Sequence, residues 1–202
     1  MSLLPEIEKM NVTNGWIIFI ENFLSQKEAD FYFDELKSNL NWQSSDIKIF
    51  GKIYETPRLE AFYSEENLSY SYSGKKLEIN SFSEKLVELR TKIYAVFPEN
   101  EKIEFNCVLA NLYRNGNDSN GWHADNEKEL GKNPLIASLS FGETRTFDLK
   151  HNLTGEKLKF NLHHGSLLIM GGEMQHFWKH QIAKSKKIEK ARINLTFRKI
   201  VG

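Results

Sequence analysis

The stretch FNCVLANLY, from Phe105 to Tyr113, has the period of two residues that is typical of a β-strand. Similar runs follow it, separated by Gly, Asn, Asp and Pro: IASLSF from Ile136, RTFDL from Arg145 and GSLLIM from Gly165. The chain from Ile103 onward is therefore predicted to be all β. Many short strands separated by turns favour a sandwich, a jelly roll or a barrel over a parallel α/β sheet.

Upstream of this stretch the sequence predicts helices. Ser25-Gln-Lys-Glu28 has the Ser-x-x-Glu form of a capping box and predicts a helix from about Gln26 to Leu40. Its buried side is expected to carry Ala29, Phe33, Leu36 and Leu40. A second helix is predicted to begin near Ser83, with apolar residues three and four apart at Leu86, Leu89, Ile93 and Phe97. Ahead of both, WIIFI from Trp16 to Ile20 predicts a short buried strand. The fold class that follows is α+β, mainly β, with helices buttressing one side.

Length and composition restrict the class of protein. The 202 residues suit one domain with a well-buried core. A content of 40% hydrophobic and 27% charged residues, with no apolar run long enough to cross a bilayer, is typical of a soluble globular protein without a membrane partner. Basic and acidic side chains balance at 27 each, so a nucleic-acid partner would have to meet a local basic face.

Localisation is predicted from the N-terminus and from the cysteine content. MSLLPEIEKMN lacks the basic start and long apolar core of a secretory signal. The single Cys107 cannot form an internal disulfide, and its surroundings predict a buried structural thiol. We expect a cytoplasmic protein, nuclear if the source is a eukaryote, and a monomer.

The segment GWHADNE, from Gly121 to Glu127, places a histidine and an aspartate two residues apart. In an extended strand such side chains point the same way, so His123 and Asp125 offer two candidate ligands at one spot. An iron site of the facial-triad type needs a second histidine, for which His180 is the candidate. Histidines also occur at other positions: His151, His163, His164 and His176. The alternative is a polar patch on a turn.

A second polar pattern lies near the C-terminus. RINLTFR, from Arg192 to Arg198, alternates strictly, with Arg192, Asn194, Thr196 and Arg198 on one face. One interpretation is an amphipathic strand with its polar face in water. The other is a polar wall inside a barrel, on which two guanidinium groups bind a dicarboxylate. Asn111 and Tyr113 offer an amide and a phenol on a similar strand face.

Taken together, these stretches resemble the AlkB-like Fe(II)/2-oxoglutarate-dependent dioxygenases, and most closely the branch that prefers duplex DNA. The resemblance extends from about Ile49 to Ile200. It depends on an ordered set of motifs: P-R at Pro57-Arg58, Y-S-Y-S-G at Tyr70 to Gly74, N-L-Y-R-N-G at Asn111 to Gly116, H-A-D-N-E at His123 to Glu127, I-A-S-L-S-F-G at Ile136 to Gly142, H-G-S-L-L-I-M at His164 to Met170, H-Q-I at His180 to Ile182 and R-I-N-L-T-F-R at Arg192 to Arg198.

The resemblance implies a double-stranded β-helix, or jelly roll, as the core of a single dioxygenase domain over residues 1–202. Residues 1–100 are expected to form a helical buttress and a nucleotide-recognition segment, and residues 101–202 the catalytic core. The implied cofactor is Fe(II), with 2-oxoglutarate and O2 as co-substrates.

Site residues are likewise implied by position. The iron triad is expected to consist of His123, Asp125 and His180, which would be the catalytic residues. The co-substrate contacts are expected to be Asn111, Tyr113, Arg192, Asn194 and Arg198. Among these, Arg192 resembles an arginine near the distal cofactor site and the metal-bound aspartate, and Arg198 resembles the arginine that pairs with a 2-oxoglutarate carboxylate.

The implied reaction is the oxidative demethylation of alkylated bases in DNA, of the 1-methyladenine and 3-methylcytosine type, as a direct-reversal repair. It releases succinate, CO2 and formaldehyde. Tyr70 and Tyr72 resemble an aromatic platform for a flipped base, and Phe50 beside Gly51 resembles a finger that fills the gap left in a duplex. The expected substrate contacts are Phe50, Gly51, Arg58, Tyr70, Tyr72, Ser73 and Glu127. Double-stranded DNA is expected to be preferred, with single strands as a second substrate.

Two departures from the family pattern lie close to the site. Asn126 stands where related sequences often carry an acid, which affects the expected base preference, and Ala183 replaces a usual proline. Phosphate contacts are expected from Arg114, Lys52 and the run from Lys184 to Lys190. Two alternatives stay open: an oxygenase of the same fold that acts on RNA or protein, and a jelly-roll binding module without catalysis.

Overall fold

Two sheets and two long helices build the fold, with a separate hairpin beside them, and every described strand pair is antiparallel except that between the last two strands of the larger sheet. The computed structural model describes residues 8–49, 52–65, 78–188 and 190–201. The strands are β1 (Lys9–Val12), β2 (Gly15–Ile20), β3 (Asp46–Ile49), β4 (Lys52–Glu55), β5 (Leu59–Ser64), β6 (Ile79–Ser81), β7 (Cys107–Tyr113), β8 (Asn120–His123), β9 (Ile136–Gly142), β10 (Arg145–His151), β11 (Lys157–Leu162), β12 (Leu167–Gly171), β13 (Trp178–Ile182) and β14 (Arg192–Arg198). The helices are α1 (Gln26–Asn39), α2 (Glu84–Tyr94) and the short α3 (Met174–Phe177), with one 3-10 turn at Lys128–Leu130.

The larger sheet has eight strands in the order β1-β2-β12-β9-β14-β7-β5-β6, and the smaller has four in the order β11-β10-β13-β8. The strands β3 and β4 pair only with each other within the described ranges. Seven of the eleven neighbouring strand pairs in the described ranges join strands that are not consecutive in the chain, as in a jelly roll. The predicted α+β, mainly β, jelly-roll class is confirmed.

The two faces of the larger sheet have different neighbours, and this explains the alternation in its strands. Ile193, Leu195 and Phe197 of β14 pack in a cluster with residues of both helices. On the opposite face, residues of both sheets form a second cluster that includes Ile136, Phe147 and Trp178. Each sheet is therefore covered along its inner face, and the polar positions of β14 lie between the sheets.

The helices form largely as the capping signals predict. Ser25 and Glu28 complete the capping box of α1, and Ser83 caps α2 through its hydroxyl. Ala29, Leu36 and Leu40 are buried as predicted, while Phe33 is only partly buried and Tyr32 takes its place in the core. Among the helices of the described ranges, none is long and apolar enough to cross a membrane.

The predicted division at residue 100 differs from the observed sheet. The strands β1, β2, β5 and β6 come from the first 100 residues, yet they lie in the same sheet as β7, β9, β12 and β14. The N-terminal part is thus more than a helical buttress, because it supplies both edges of the larger sheet. That residues 1–202 form one domain stays a prediction.

Candidate metal centre and co-substrate pocket

The three predicted metal ligands meet at one end of the space between the sheets. His123 on β8 lies directly opposite His180 on β13 in the antiparallel ladder, with ring centroids 4.3 Å apart. Asp125 follows two residues after His123, just beyond the end of β8, and its Oδ1 is 4.0 Å from His123 Nε2. One possible ligand atom from each of the three residues lies within 4.8 Å of the others. Two imidazoles and one carboxylate at this spacing fit the facial triad of an Fe(II) site.

Neighbouring groups fix the orientation of two of these ligands. His123 Nδ1 is 2.7 Å from the carbonyl oxygen of Gly121, which only accepts, so Nδ1 carries the proton. The lone pair that would bind a metal is on Nε2, which here accepts from Asn120 Nδ2 at 3.1 Å. The Asp125 backbone N–H donates to Gln175 Oε1 at 2.9 Å, and Arg198 Nη2 donates to Asp125 Oδ1 at 2.8 Å. These contacts hold the carboxylate after the strand has ended.

Burial and charge keep the ligands in the protonation states that a metal needs. Burial, followed by the proximity of His123, lowers the pKa of His180 to about 3. Burial also lowers the pKa of His123. For Asp125, burial opposes ionisation, but Arg198 and the two histidines outweigh it and the pKa is lowered. Neutral imidazoles and an ionised carboxylate are the ligand forms of an iron site.

We expect the metal-free protein to lose stability as the pH falls from about 6.5 to about 4. The pKa of His180 drops from an ordinary 6.5 to about 3 on folding, so the unfolded chain binds more protons across this range. The free energy of unfolding should therefore decrease by up to about 1.4 kcal/mol per pH unit for this group. Urea unfolding in EDTA at several pH values measures the slope. His180→Gln should reduce the slope of the unfolding free energy against pH. The control His163→Gln, at an exposed position, should leave the slope unchanged. Equal slopes for His180→Gln and the native chain would contradict the expectation.

The strand β14 forms the polar wall of the pocket. All seven of its residues are buried, so the interpretation in which its polar face lies in water is wrong. Its register with β7 places Arg192 opposite Tyr113, Asn194 opposite Asn111 and Arg198 opposite Cys107. The predicted wall and the three candidate ligands line one cavity. Its empty volume is about 470 Å³, part of which is open to solvent.

Arg192 lies at the end of the wall away from the metal ligands. Its side chain is 1% exposed, and Nη2 donates to Ser140 Oγ at 3.0 Å. Nε and Nη1 meet no hydrogen-bond acceptor within the described part of the chain. Burial lowers the pKa of Arg192 to about 10, which leaves it charged at neutral pH. A buried guanidinium with two such donors fits one carboxylate of a dicarboxylate.

Arg198 lies at the other end of the wall and corrects one expectation. It is Arg198, and not Arg192, that contacts the predicted metal-bound aspartate, Asp125. The two arginines are six residues apart on β14, which corresponds to roughly 20 Å at about 3.3 Å per residue. The expectation that Arg192 lies near this aspartate was therefore wrong. The other part of the expectation, that Arg192 lies at the distal end of the co-substrate, stays a prediction.

Asn194 and Asn111 differ in how their amides are engaged. Asn194 Nδ2 donates to Ser138 Oγ at 2.8 Å and to the Leu139 carbonyl at 3.2 Å, and Oδ1 accepts from Thr196 Oγ1 at 3.1 Å. Its amide therefore cross-links β14 and β9. Asn111 Oδ1 is bound by Arg58 Nε at 2.7 Å, which leaves its Nδ2 for the cavity that the residue lines.

The model of the 2OG-Fe(II) oxygenase superfamily matches residues 17–198, a span that contains the three ligands and the whole polar wall. The chain belongs to this superfamily. The predicted Fe(II), 2-oxoglutarate and O2 are thereby confirmed for this oxygenase, and the His-Asp-His cluster fits the iron.

The relatives of this oxygenase also confirm the predicted AlkB family. It is 39% identical over 188 residues to alpha-ketoglutarate-dependent dioxygenase alkB homolog 3 of Bos taurus, with 88% of this chain and 64% of that protein covered. It is 35% identical over 185 residues to DNA oxidative demethylase ALKBH2 of Mus musculus, with 86% of this chain and 76% of that protein covered. A solved structure of OsALKBH1, 18% identical, shares the fold with a TM-score of 0.60 over 94% of this chain and 100% of that one.

The predicted substrate residues of the oxygenase are only partly visible. Five of them lie outside the described residues: Phe50, Gly51, Tyr70, Tyr72 and Ser73. Arg58 is buried at 5% exposure, and its described contacts with Asn111, Glu60 and the Ser119 carbonyl point inward. Its role as a substrate contact stays a prediction.

Glu127 lies beside the metal ligands of the oxygenase, partly buried. Its Oε2 has no hydrogen-bond partner among the residues described. Burial raises the pKa of this carboxyl, Arg198 opposes the rise, and Asp125 adds to it. A carboxylate without a partner near the iron site suits an amino group on a substrate.

Several residues that support the site carry no signal in the sequence. Gln175 on α3 holds the Asp125 backbone, and Asn120 Nδ2 lies 3.1 Å from His123 Nε2. Buried Arg145 donates to the carbonyls of Asn115, Asp118 and Ala183 and so joins two loops. The predicted phosphate contact Arg114 instead forms a two-pronged pair with Asp118, at 2.8 and 2.9 Å. Gln175 and Arg145 meet their partners only through the fold, because those partners lie 27 to 50 residues away in the chain.

Proposed function

We propose that this oxygenase removes methyl groups from alkylated bases in DNA, of the 1-methyladenine and 3-methylcytosine type, as a direct-reversal repair. The observation that supports it most is the meeting of the His-Asp-His cluster and buried Arg192 in one cavity. DNA as the substrate is supported by a relative at 35% identity, the DNA oxidative demethylase ALKBH2.

In this proposal, different residues along the cavity bind the metal and the co-substrate. His123, Asp125 and His180 would hold Fe(II), with Arg198 keeping the carboxylate ionised and oriented. Arg192 would bind one carboxylate of 2-oxoglutarate, assisted by Tyr113, whose ring lies under the guanidinium at 5.2 Å. When bound, Fe(II), 2-oxoglutarate and O2 would together supply the oxidation: one oxygen atom of O2 ends in succinate as CO2 is released, and the other is delivered to the substrate. Hydroxylation of the N-methyl group gives a hemiaminal, which releases formaldehyde and the repaired base.

The base must leave the duplex to reach this site, or be presented on a single strand. In this proposal Glu127 accepts a hydrogen bond from the exocyclic amino group of such a base, which is supported by its Oε2 being buried without a partner among the described residues. The resemblance supplies the remaining contacts as proposals: Tyr70, Tyr72 and Ser73 for the base, and Phe50 with Gly51 for the gap in the duplex. Double-stranded DNA is the preferred substrate in this proposal.

The test is an incubation of the purified protein with Fe(II), ascorbate, 2-oxoglutarate and matched single- and double-stranded oligonucleotides that carry one methylated base. Mass spectrometry should show loss of one methylene per repaired base, together with equimolar succinate. Turnover of 2-oxoglutarate without loss of methyl from any DNA would contradict the DNA proposal and favour an RNA or protein substrate. No turnover at all would favour a binding module.

Phe50→Ala tests the strand preference. Because unstacking a duplex step costs a few kcal/mol, loss of a wedge that offsets this cost should lower kcat/KM on duplex DNA by at least about 10-fold. The value on single strands should stay within about twofold. A conservative Phe50→Leu variant serves as the control and should retain part of the duplex activity. Equal losses on both substrates, or none, would remove the finger role from Phe50.

A further inference from the structure

Beside the co-substrate wall, where β5 pairs with β7, lies a buried polar network that the proposed reaction does not use. Arg58, at the start of β5, is 5% exposed, and Glu60, two residues along, is fully buried. Arg58 Nη2 donates to Glu60 Oε1 at 2.6 Å, and Arg58 Nε donates to Asn111 Oδ1 at 2.7 Å. A third bond runs from Arg58 Nη1 to the Ser119 carbonyl at 3.3 Å. Ser119 directly precedes β8, the strand that carries His123.

The chemistry of this contact fixes which way the Asn111 amide faces. A guanidinium only donates, so the amide atom 2.7 Å from Arg58 Nε must be the oxygen. The amide nitrogen, with its two N–H donors, then lies on the other side of the side chain. Asn111 lines the cavity with Tyr113 and Arg192, so these donors are available to an anion there.

We propose that Arg58 is a positioning residue for 2-oxoglutarate, acting through Asn111. By holding Oδ1, it keeps Nδ2 of Asn111 turned towards the co-substrate, and Glu60 holds Arg58 in place. The proposal rests on the assignment of Asn111 as a co-substrate contact. In this proposal Arg58 acts inside the protein, in addition to any contact that it makes with the base.

The network continues away from the pocket and supplies a matched control. Ser45 Oγ donates to Glu60 Oε2 and lies 3.0 Å from Thr56 Oγ1. Ser45 and Thr56 lie just before β3 and just after β4, so this end of the network closes the hairpin. Thr56→Val removes a buried hydroxyl that donates to the backbone carbonyls of Ser45 and Arg58 but has no described contact with the Arg58 guanidinium or with Asn111, so it should leave 2-oxoglutarate binding unchanged.

Binding of 2-oxoglutarate is measured by calorimetry on Mn(II)-loaded protein, so that the readout is independent of turnover. Asn111→Ala should weaken binding about 10-fold or more, since a hydrogen bond to a charged group is lost. Asn111→Asp should weaken it at least as much, because the carboxylate keeps the contact with Arg58 but offers no donor to the co-substrate. Mn(II) affinity should stay within about twofold in each variant, since the metal ligands are intact.

Two Arg58 variants guard against loss of folding. Arg58→Lys keeps the charge beside Glu60, and the double variant Arg58→Met with Glu60→Gln removes the buried charge pair together. Both should weaken 2-oxoglutarate binding about 3- to 10-fold and raise its KM, with kcat at saturation within about twofold. In the Asn111→Ala background, Arg58→Lys should have no further effect beyond twofold, because contacting residues are not additive.

The outcomes separate the two levels of the proposal. Normal 2-oxoglutarate binding by Arg58→Lys and by the double variant, or an undiminished effect of Arg58→Lys in the Asn111→Ala background, overturns the positioning role. Normal binding by Asn111→Ala overturns the assignment of Asn111 and the positioning role with it. Neither result depends on which nucleic acid is the substrate, so failure of the DNA proposal is recognised separately in the demethylation assay.

Discussion

His123→Ala is expected to lower the turnover of 2-oxoglutarate by more than about 100-fold and to leave a folded protein. Even the outer partners of metal ligands can change metal affinity or activity by 10- to 100-fold, so loss of a ligand itself should exceed that. The His123 side chain is 26% exposed, and truncation removes its Nδ1 bond to the Gly121 carbonyl. A bond of this kind contributes about 0.5–1.5 kcal/mol, and the thermal midpoint should therefore fall by only a few degrees.

Substitution of Asp125 is expected to lower stability as well as activity, because its carboxylate also forms an ion pair with the buried Arg198. Their contact is 2.8 Å long, and the side chains are only 2% and 3% exposed. Asp125→Ala removes the carboxylate partner of a buried charge, which typically costs about 3–5 kcal/mol. Asp125→Asn keeps the size of the side chain and an oxygen acceptor, so it should lose activity with a smaller loss of stability.

Succinate release, Mn(II) titration and thermal melting measure these effects together. His163→Ala, at an exposed histidine outside the cavity, is the control and should match the native chain in all three. Native-level turnover by His123→Ala or by Asp125→Asn would show that the metal lies elsewhere. Loss of Mn(II) binding with intact melting would support the assignment.

The jelly roll and the metal ligands were predictable because local pattern and chemistry coincide there. The period of two in β7, β9 and β14 identifies strands, and His123, Asp125 and His180 are the residue types that Fe(II) requires. A period of two residues identifies a strand, but it does not indicate whether each face of the strand is covered by protein or by water. The polar side of β14 was compatible with water or with a barrel interior, and the second sheet decides it.

The wrong expectation concerned which end of strand β14 lies near Asp125. Arg192 and Arg198 share a face and a residue type, so the sequence does not distinguish which of them reaches Asp125. The pairing of β13 with β8 places the metal ligands near the Arg198 end of β14. For Arg58, whose substrate contact stays a prediction, the sequence does not show that Glu60, two residues later on the same side, pairs with the guanidinium inside the protein.

Arg192→Met is expected to abolish tight 2-oxoglutarate binding and, at the same time, to stabilise the protein. Arg192 is 1% exposed, and its Nε and Nη1 find no acceptor among the described residues. Burial of a charge that is incompletely hydrogen-bonded opposes folding, and it lowers the pKa of this guanidinium to about 10. A methionine of similar length removes that cost but leaves no cation for a carboxylate. Function and stability therefore make opposite demands at this position.

The expected magnitudes are large enough to measure. Two charge-assisted bonds at about 1.5–3 kcal/mol each correspond to a loss of 2-oxoglutarate affinity of about 100-fold or more. The free energy of unfolding in the absence of ligand should rise by about 1–2 kcal/mol, or roughly 3–6 °C in the thermal midpoint. Mn(II) affinity should change by less than about twofold, because Arg192 lies at the far end of β14 from the Arg198 contact with Asp125.

Arg145→Met is the matched control, since it removes a second buried arginine whose situation is the reverse. Arg145 is 2% exposed, but its guanidinium donates to three backbone carbonyls, on Asn115, Asp118 and Ala183. Its removal leaves those acceptors without a donor and should destabilise the protein by about 2–4 kcal/mol. If Arg192→Met melted lower than the native chain, as Arg145→Met should, the charge of Arg192 would be part of the fold. Opposite shifts in the two variants, with 2-oxoglutarate binding lost in Arg192→Met, would instead show that the chain keeps this buried cation for its co-substrate.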